Sequence, residues 1–267
     1  MLKITFLGSG TSQGIPVIGS DHPVSFSKDP KDKRLRSSIH IETNGINFNI
    51  DCGPDFRQQM LNADCNKLDA IIFTHEHADH TSGIDDTRPF FFRQGKIPIY
   101  LHERVLKSLK ERFAYIFDKD KRYPGAPDFE INLIDKNYNF KIRDLEIIPI
   151  ESMHMRLPVL GFRINSFAYL TDVKTIEVEE LEKLKNLDVL VINALRFDPH
   201  PSHLNVDEAL QIIKQINPKS TYFTHISHNM GFHEEVCNKL PNNVSLAYDG
   251  LVSVSYTHLT LPTIYSV

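Results

Sequence analysis

Between residues 74 and 82 the chain reads Thr74-His75-Glu76-His77-Ala78-Asp79-His80-Thr81-Ser82, so five side chains able to bind a metal or move a proton fall within six residues. Neutral imidazole and carboxylate suit zinc, manganese or iron(II), and such a set needs no thiolate. In extended chain the imidazoles of His75 and His77 project to the same side and can share one cation. Asp79 and His80 follow after a turn and are placed to hold a second. A solvated loop that happens to be rich in histidine is the plainer alternative. Against it stands the stretch just upstream, Asp69-Ala70-Ile71-Ile72-Phe73, an apolar run of the buried-strand type. The cluster begins where a strand ends, which is where α/β proteins hold their chemistry.

Three more polar residues stand at the ends of apolar runs: His154 after 145–150, Asp172 after 161–170, and His225 after 220–224. One such histidine is ordinarily a hydrogen-bonded bystander, but four strand ends repeating the pattern are unlikely to be independent accidents. The remaining strands are expected at 2–7, 37–43, 46–51, 97–102, 131–134, 140–142, 187–194 and 244–252. Asn44-Gly45 joins the second and third as a hairpin, because both residues tolerate positive φ. Helices are expected at 54–62, with Phe56, Met60 and Leu61 as apolar face, at 105–117, at 206–216 behind an Asn205 cap, and at 232–240. A strand-rich rhythm alternating with helices implies an α/β (α+β) chain with two β-sheets packed face to face and helices outside.

The chain has 267 residues, 41% of them hydrophobic, and a net charge of −4, which gives one domain with a sizeable core and no general basic field for nucleic acid. No apolar run reaches the length of a membrane span, and residues 1–8 read as a strand rather than an export signal, so a cytoplasmic protein without membrane contact is expected. Cys52, Cys65 and Cys237 are odd in number and widely spaced, which fits reduced, idle thiols rather than a disulfide framework or metal knuckle. Residues 15–36 read as an irregular arm whose end carries Lys28, Lys31, Lys33, Arg34 and Arg36. A solvated loop is the plain reading of these charges, and attraction of an anionic substrate is the functional one.

The order His75-x-His77-x-Asp79-His80, then His154, then Asp172 after Tyr169-Leu170-Thr171, then His225, resembles the dinuclear hydrolases of the metallo-β-lactamase superfamily. That resemblance implies a four-layered αβ/βα sandwich with two divalent metal ions, Mn2+ or Zn2+, at one edge. Carried over residue by residue, it implies that His75, His77 and His154 bind one metal, that Asp79, His80 and His225 bind the other, and that Asp172 bridges them. Gly8-Ser9-Gly10-Thr11-Ser12-Gln13-Gly14-Ile15-Pro16, Thr224-His225-Ile226-Ser227-His228 and Tyr248-Asp249-Gly250 are similar to the PhnP-type phosphodiesterases, over nearly the whole chain to about Val252. The similarity implies hydrolysis of a small cyclic phosphodiester, such as a phosphoribosyl 1,2-cyclic phosphate, by a hydroxide shared between the metals. Asp79 would orient it, and His203 would be the catalytic and substrate-binding histidine that contacts the phosphate or protonates the leaving oxygen.

That group also carries a cysteine-held structural zinc in the arm. Here Ser20, His22 and Ser25 stand at the corresponding places, so no structural zinc is expected, and packing and hydrogen bonds must hold the arm. Ribonuclease Z enzymes share the metal motif and are the alternative that would bring in nucleic acid. A flavodiiron-like or persulfide-oxidising enzyme, and a binding module that has lost catalysis, are the others. A homodimer is compatible with the sequence. Finally, residues 254–263, Val-Ser-Tyr-Thr-His-Leu-Thr-Leu-Pro-Thr, read as one translated frame of a sequencing adapter. The expected domain is therefore 1–253, with 254–267 a foreign tail whose His258 is no ligand.

Overall fold

The computed structural model describes residues 1–255, so the adapter reading of the tail lies, from residue 256 on, outside the described residues. Strands β1 (Leu2–Gly8), β2 (Ser38–Thr43), β3 (Ile46–Ile50), β4 (Ala70–Ile72), β5 (Ile97–Leu101) and β6 (Phe129–Leu133) lie side by side in chain order. Strands β7 (Phe140–Ile142), β8 (Leu145–His154), β9 (Leu157–Ile164), β10 (Phe167–Tyr169), β11 (Val189–Asn193), β12 (Ser220–Thr224) and β13 (Val244–Leu246) make a second sheet, again in sequential order. The chain then returns to the first sheet, where β14 (Val252–Ser255) pairs antiparallel with β1, Leu2 opposite Ser255 and Lys3 opposite Val254. The helices are α1 (Phe56–Asn62), α2 (Ala78–Thr81), α3 (Arg88–Gln94), α4 (Glu103–Arg112), α5 (Ala114–Phe117), α6 (Val178–Glu182), α7 (Val206–Ile216) and α8 (His233–Cys237).

Alternation along the strands builds the layers. Ile4, Phe6, Ile41 and Phe48 of the first sheet meet Phe162, Phe167, Tyr169 and Val191 of the second in a core between the sheets. On the outer face of the first sheet, Ile71, Phe73 and Ile99 pack on Phe56, Phe90 and Leu109 of α1, α3 and α4. On the outer face of the second, Leu190, Ile192 and Phe223 pack on Ala209, Ile213 and Val236 of α7 and α8. Helix, sheet, sheet, helix is the expected four-layered αβ/βα sandwich.

Several expected boundaries shift. Asn44 (φ 48°) and Gly45 (φ 73°) make the anticipated two-residue hairpin. The first helix begins at Phe56 rather than Pro54, and Leu61 is 59% exposed, so it is no part of the buried face. The single helix expected at 105–117 breaks at Phe113 (φ −120°), which divides α4 from α5. The strand expected at 161–170 is two, because Asn165 (φ 53°) and Ser166 turn the chain between β9 and β10. The closing strand expected at 244–252 is also two, β13 and β14, on different sheets and divided by a turn at Gly250 (φ 89°). Nor is the arm at 15–36 uniformly solvated: Asp32 and Arg34 are buried, with Arg34 bonded to Ala247 and Ser9 and Asp32 accepting from His233.

Candidate metal centre

The expected site residues come from strand ends along one edge of the sandwich. His75 and His77 follow β4, and α2 then carries Asp79 and His80. His154 is the last residue of β8, which runs past the expected end at 150 into a hairpin with β9. Asp172 (φ 57°) follows β10 and His225 (φ 55°) follows β12, each in a left-handed kink that turns its side chain out of the strand line. His203 sits on the loop between β11 and α7. There Asn205 and Glu208 close a reciprocal capping box at 2.9 Å that fixes where the helix starts.

Hydrogen bonds fix which ring nitrogens face inward. Asp51, buried and left-handed (φ 67°), accepts from the Thr74 amide at 2.9 Å, the Thr74 hydroxyl, and His80 Nδ1 at 2.6 Å. His80 Nε2 therefore presents a lone pair, 3.1 Å from Asp172 and 3.2 Å from Asp79, with no hydrogen-bond geometry to either. The Thr74 hydroxyl, committed as donor to Asp51, accepts from His75 Nδ1 at 3.0 Å. His75 Nε2 is then a second buried lone pair without a partner. His154 Nδ1 donates to the Ser202 carbonyl at 2.7 Å, which likewise aims Nε2 away from the backbone. Such carbonyl and carboxylate partners behind imidazoles orient metal ligands.

Charge follows the same pattern. Burial pushes His75 well below the ordinary imidazole range and His225 down to about 4, so both stay neutral, the form that binds metal. Burial also depresses His154. For Asp172 burial acts upward, but the nearby imidazoles of His225 and His80 and a hydrogen bond from His203 outweigh it and hold the carboxyl well below its usual range. Burial likewise works against a charged His80, yet Asp79, Asp51 and Asp172 together raise it well above an ordinary imidazole. Three carboxylates around one imidazole, two of them facing its Nε2 lone pair, thus demand a positive charge, and a divalent cation in place of the proton fits the donors present.

Among the described residues, donor atoms within 4.8 Å of one another fall into three groups: His75, His80 and Asp172; Asp79, His80 and His225; and His154, Asp172 and His203. Asp172 belongs to two of them. His77 belongs to none, although its ring lies 4.6 Å from that of His75 and 5.3 Å from that of His154. His203 Nε2 is 3.0 Å from Asp172, and its Nδ1 contacts Ser202 and His200. The ring of His22, in the arm, stands 5.3 Å from that of His228, which follows β12, edge to face, and Ser20 accepts from the His22 amide.

The sequence reading missed Asp51 and a clamp around Glu76. Arg104 donates to Glu76 Oε1 at 2.7 Å and to the Pro158 carbonyl, and Arg112 donates to the Glu76 carbonyl and the Thr81 hydroxyl, both at 2.9 Å. Asp51 carried a usable signal, since it too ends an apolar strand. The clamp did not, because its members are far apart in the chain.

Residues 47–226 match the family model described as the beta-lactamase superfamily domain, and the chain belongs to that superfamily. A solved structure described as a new diphosphatase from the PhnP family is 38% identical, with a TM-score of 0.89, over 96% of this chain and 98% of that one. At that identity and coverage the chain belongs, within the superfamily, to the PhnP family, and it has the metallo-β-lactamase fold. An octanoyltransferase from Porphyromonas gingivalis is 40% identical over 95% of this chain and 51% of its own length. A ribonuclease Z from Methanocaldococcus jannaschii is 27% identical over 72% of this chain and 54% of its own. The chain thus spans about half the length of these two curated relatives. Among the described residues no helix is long and apolar enough to cross a membrane.

Proposed function

We propose that this protein hydrolyses a small phosphodiester, of the kind represented by phosphoribosyl 1,2-cyclic phosphate. In this reading His75, His77 and His154 hold one divalent cation, Asp79, His80 and His225 hold a second, and Asp172 bridges them. The observation that carries it is the pair of buried, unpartnered lone pairs on His75 Nε2 and His80 Nε2, each clustered with the Asp172 carboxylate. When bound, the metals, Mn2+ or Zn2+, would supply Lewis acidity toward phosphoryl oxygens and a nucleophilic water at neutral pH. Asp79 orients that water. His203 holds a proton at Nε2, kept toward the site by Asp172 at 3.0 Å, and delivers it to the leaving oxygen.

A second reading is favoured by the 38%-identical relative described as a diphosphatase, in which the bond broken is a phosphoric anhydride. Both readings use in-line attack at phosphorus and differ in the leaving group. The octanoyl transfer named for the Porphyromonas protein is not carried over, since this chain spans only 51% of that protein's length.

The test is turnover by manganese-loaded protein of 5-phosphoribosyl 1,2-cyclic phosphate, a dinucleoside diphosphate and an unprocessed tRNA, with Asp79→Ala as blank. Preference for the cyclic ester supports the proposal. Preference for the anhydride or the tRNA overturns it in favour of a diphosphatase or a ribonuclease Z. His203→Ala is expected to cut turnover by about 100-fold or more with both metals retained. Loss of metal from that variant would make His203 a ligand.

A further inference from the structure

Beneath α1, on the outer face of the first sheet, three polar side chains meet away from the metal-centre residues. His40 of β2 and Asn49 of β3 are directly opposed cross-strand partners, and both are buried. His40 Nδ1 lies 2.7 Å from Asn49 Oδ1, and an amide oxygen only accepts, so Nδ1 carries the proton. His40 Nε2 is then an acceptor on a ring only 4% exposed, and the atom facing it is Cys65 Sγ at 3.9 Å, whose hydrogen can turn to it from the Lys67 carbonyl at 3.2 Å. Thiol, base and a carboxamide that orients the base form the arrangement by which a cysteine is activated as a nucleophile.

The thiol also has somewhere to receive a reactant. Cys65 lines a cavity of about 320 Å3 with a floor of buried Phe56 and Phe90. Its rim carries exposed Arg57 and Arg93 and exposed Asp64 and Asp86, two cations and two carboxylates. We propose that Cys65 is a modification site for a small zwitterionic disulfide, activated by His40 and oriented by Asn49. The Sγ proton passes to His40 Nε2 as Sγ attacks one sulfur of the disulfide. The old S–S bond breaks, its leaving sulfur departs on the cavity side and takes a proton from water, and His40 afterwards returns its proton to solvent. Cys65 ends oxidised in a mixed disulfide, and half of the reactant leaves reduced as a thiol.

Cys237 provides an internal contrast. Its Sγ is 3.7 Å from His233 Nε2, but His233 Nδ1 accepts from Arg34, so Nε2 there holds the hydrogen and cannot serve as a base. Cys52 is fully buried. Burial raises the Cys65 thiol and lowers His40, so both rest uncharged and the proton moves only as the bond forms. The charged groups that bear on the pair are Glu42 and Lys3 from β2 and β1, with Arg93 and Asp64 beside the thiol.

The inference is independent of the phosphodiesterase reading, and its test is separate. The full chain is treated with the neutral disulfide 4,4′-dithiodipyridine, and labelled peptides are identified by mass spectrometry. Cys65 is expected to react about tenfold or more faster than Cys237, with a rate nearly constant above pH 6. His40→Gln should slow it about tenfold or more and restore a rise of about tenfold per pH unit. Cys65→Ser should abolish the fast phase and leave metal-dependent turnover unchanged. Equal labelling of Cys65 and Cys237, or a wild-type rate climbing about tenfold per unit to pH 8, overturns the activation whether or not the His40 variant folds. Cystine outpacing cationic cystamine at Cys65 supports the zwitterion preference, and equal rates overturn it.

Discussion

Asp51 determines which nitrogen of His80 faces the cluster. Its two oxygens accept from the Thr74 amide, the Thr74 hydroxyl and His80 Nδ1, and through Thr74 they also set the tautomer of His75. One carboxylate therefore orients two candidate ligands. Asp51→Asn keeps the volume but turns one acceptor oxygen into a donor, which cannot satisfy three incoming protons. His80 is then free to carry its hydrogen on Nε2, against Asp79 and Asp172. Manganese affinity, followed by calorimetric titration, is expected to fall about 10–100-fold in this variant. Unchanged affinity would mean that something else fixes the tautomer. In the sequence Asp51 was visible as a carboxylate at a strand end, but its partner lies one strand over, and hydrogen-bond direction across strands leaves no trace in residue spacing. The clustering of His75, Asp172 and His225, by contrast, was legible because each stands just behind an apolar run, and Asp79 and His80 follow His75 within five residues.

At the scale of elements, α4 acts as a brace. Arg104 in its first turn and Arg112 at its end both reach Glu76, the residue between His75 and His77. Arg104 also holds Pro158, on the hairpin strand opposite the one that ends in His154. The helix thereby links two ligand-bearing segments that share no sequence neighbourhood. Arg104→Met removes both bonds while keeping most of the stem. The ion pair is partly exposed, 32% at Arg104, so its loss should lower the Tm by only a few degrees, about 1 kcal/mol. Turnover is expected to fall more, about tenfold, because small displacements of reacting groups are costly. A large Tm loss with unchanged turnover per folded molecule would assign Arg104 to stability alone. Periodicity revealed this helix and its apolar face but not its end, since Phe113 and Ile116 continue the helical spacing across the break between α4 and α5. The same blindness joined β9 to β10, because apolar residues continue on both sides of Asn165. Where a boundary has its own chemistry, as at Asn205 or Asn44-Gly45, the sequence located it correctly.

Over the whole molecule, Arg34 ties the beginning of the chain to its later part. Its guanidinium bonds Ser9 after β1, the Ala247 carbonyl after β13, and His233 of α8, and Ser9 passes the contact to Asp249 at 2.8 Å. Burial lowers Arg34 to about 10, so it stays charged at neutral pH, and two neighbours titrate beside it. Burial, then Arg34, lowers His233 from 6.5 to about 4. The folded state there binds fewer protons than the unfolded chain, so the stability His233 contributes is complete above about pH 6.5 and is lost as the pH falls through 4. Asp249 runs the other way. Burial raises it from 3.8 to about 6, against hydrogen bonds from Leu35 and Ser9 and the charge of Arg34. Its contribution is complete below about pH 3.8 and is lost as the pH rises through 6. The two trends occupy nearly the same window with opposite sign, so together they leave the wild type almost level there. His233→Gln separates them, because the glutamine oxygen can still accept from Arg34 but takes up no proton. Relative to wild type, the variant should gain up to about 3 kcal/mol between pH 7 and pH 4. Urea unfolding of both proteins in chelator at pH 7, 6, 5 and 4 measures this, and taking the difference removes the response of the metal centre. A difference that stays constant with pH would mean that His233 titrates as an ordinary imidazole and that the Arg34 contact does not hold it neutral.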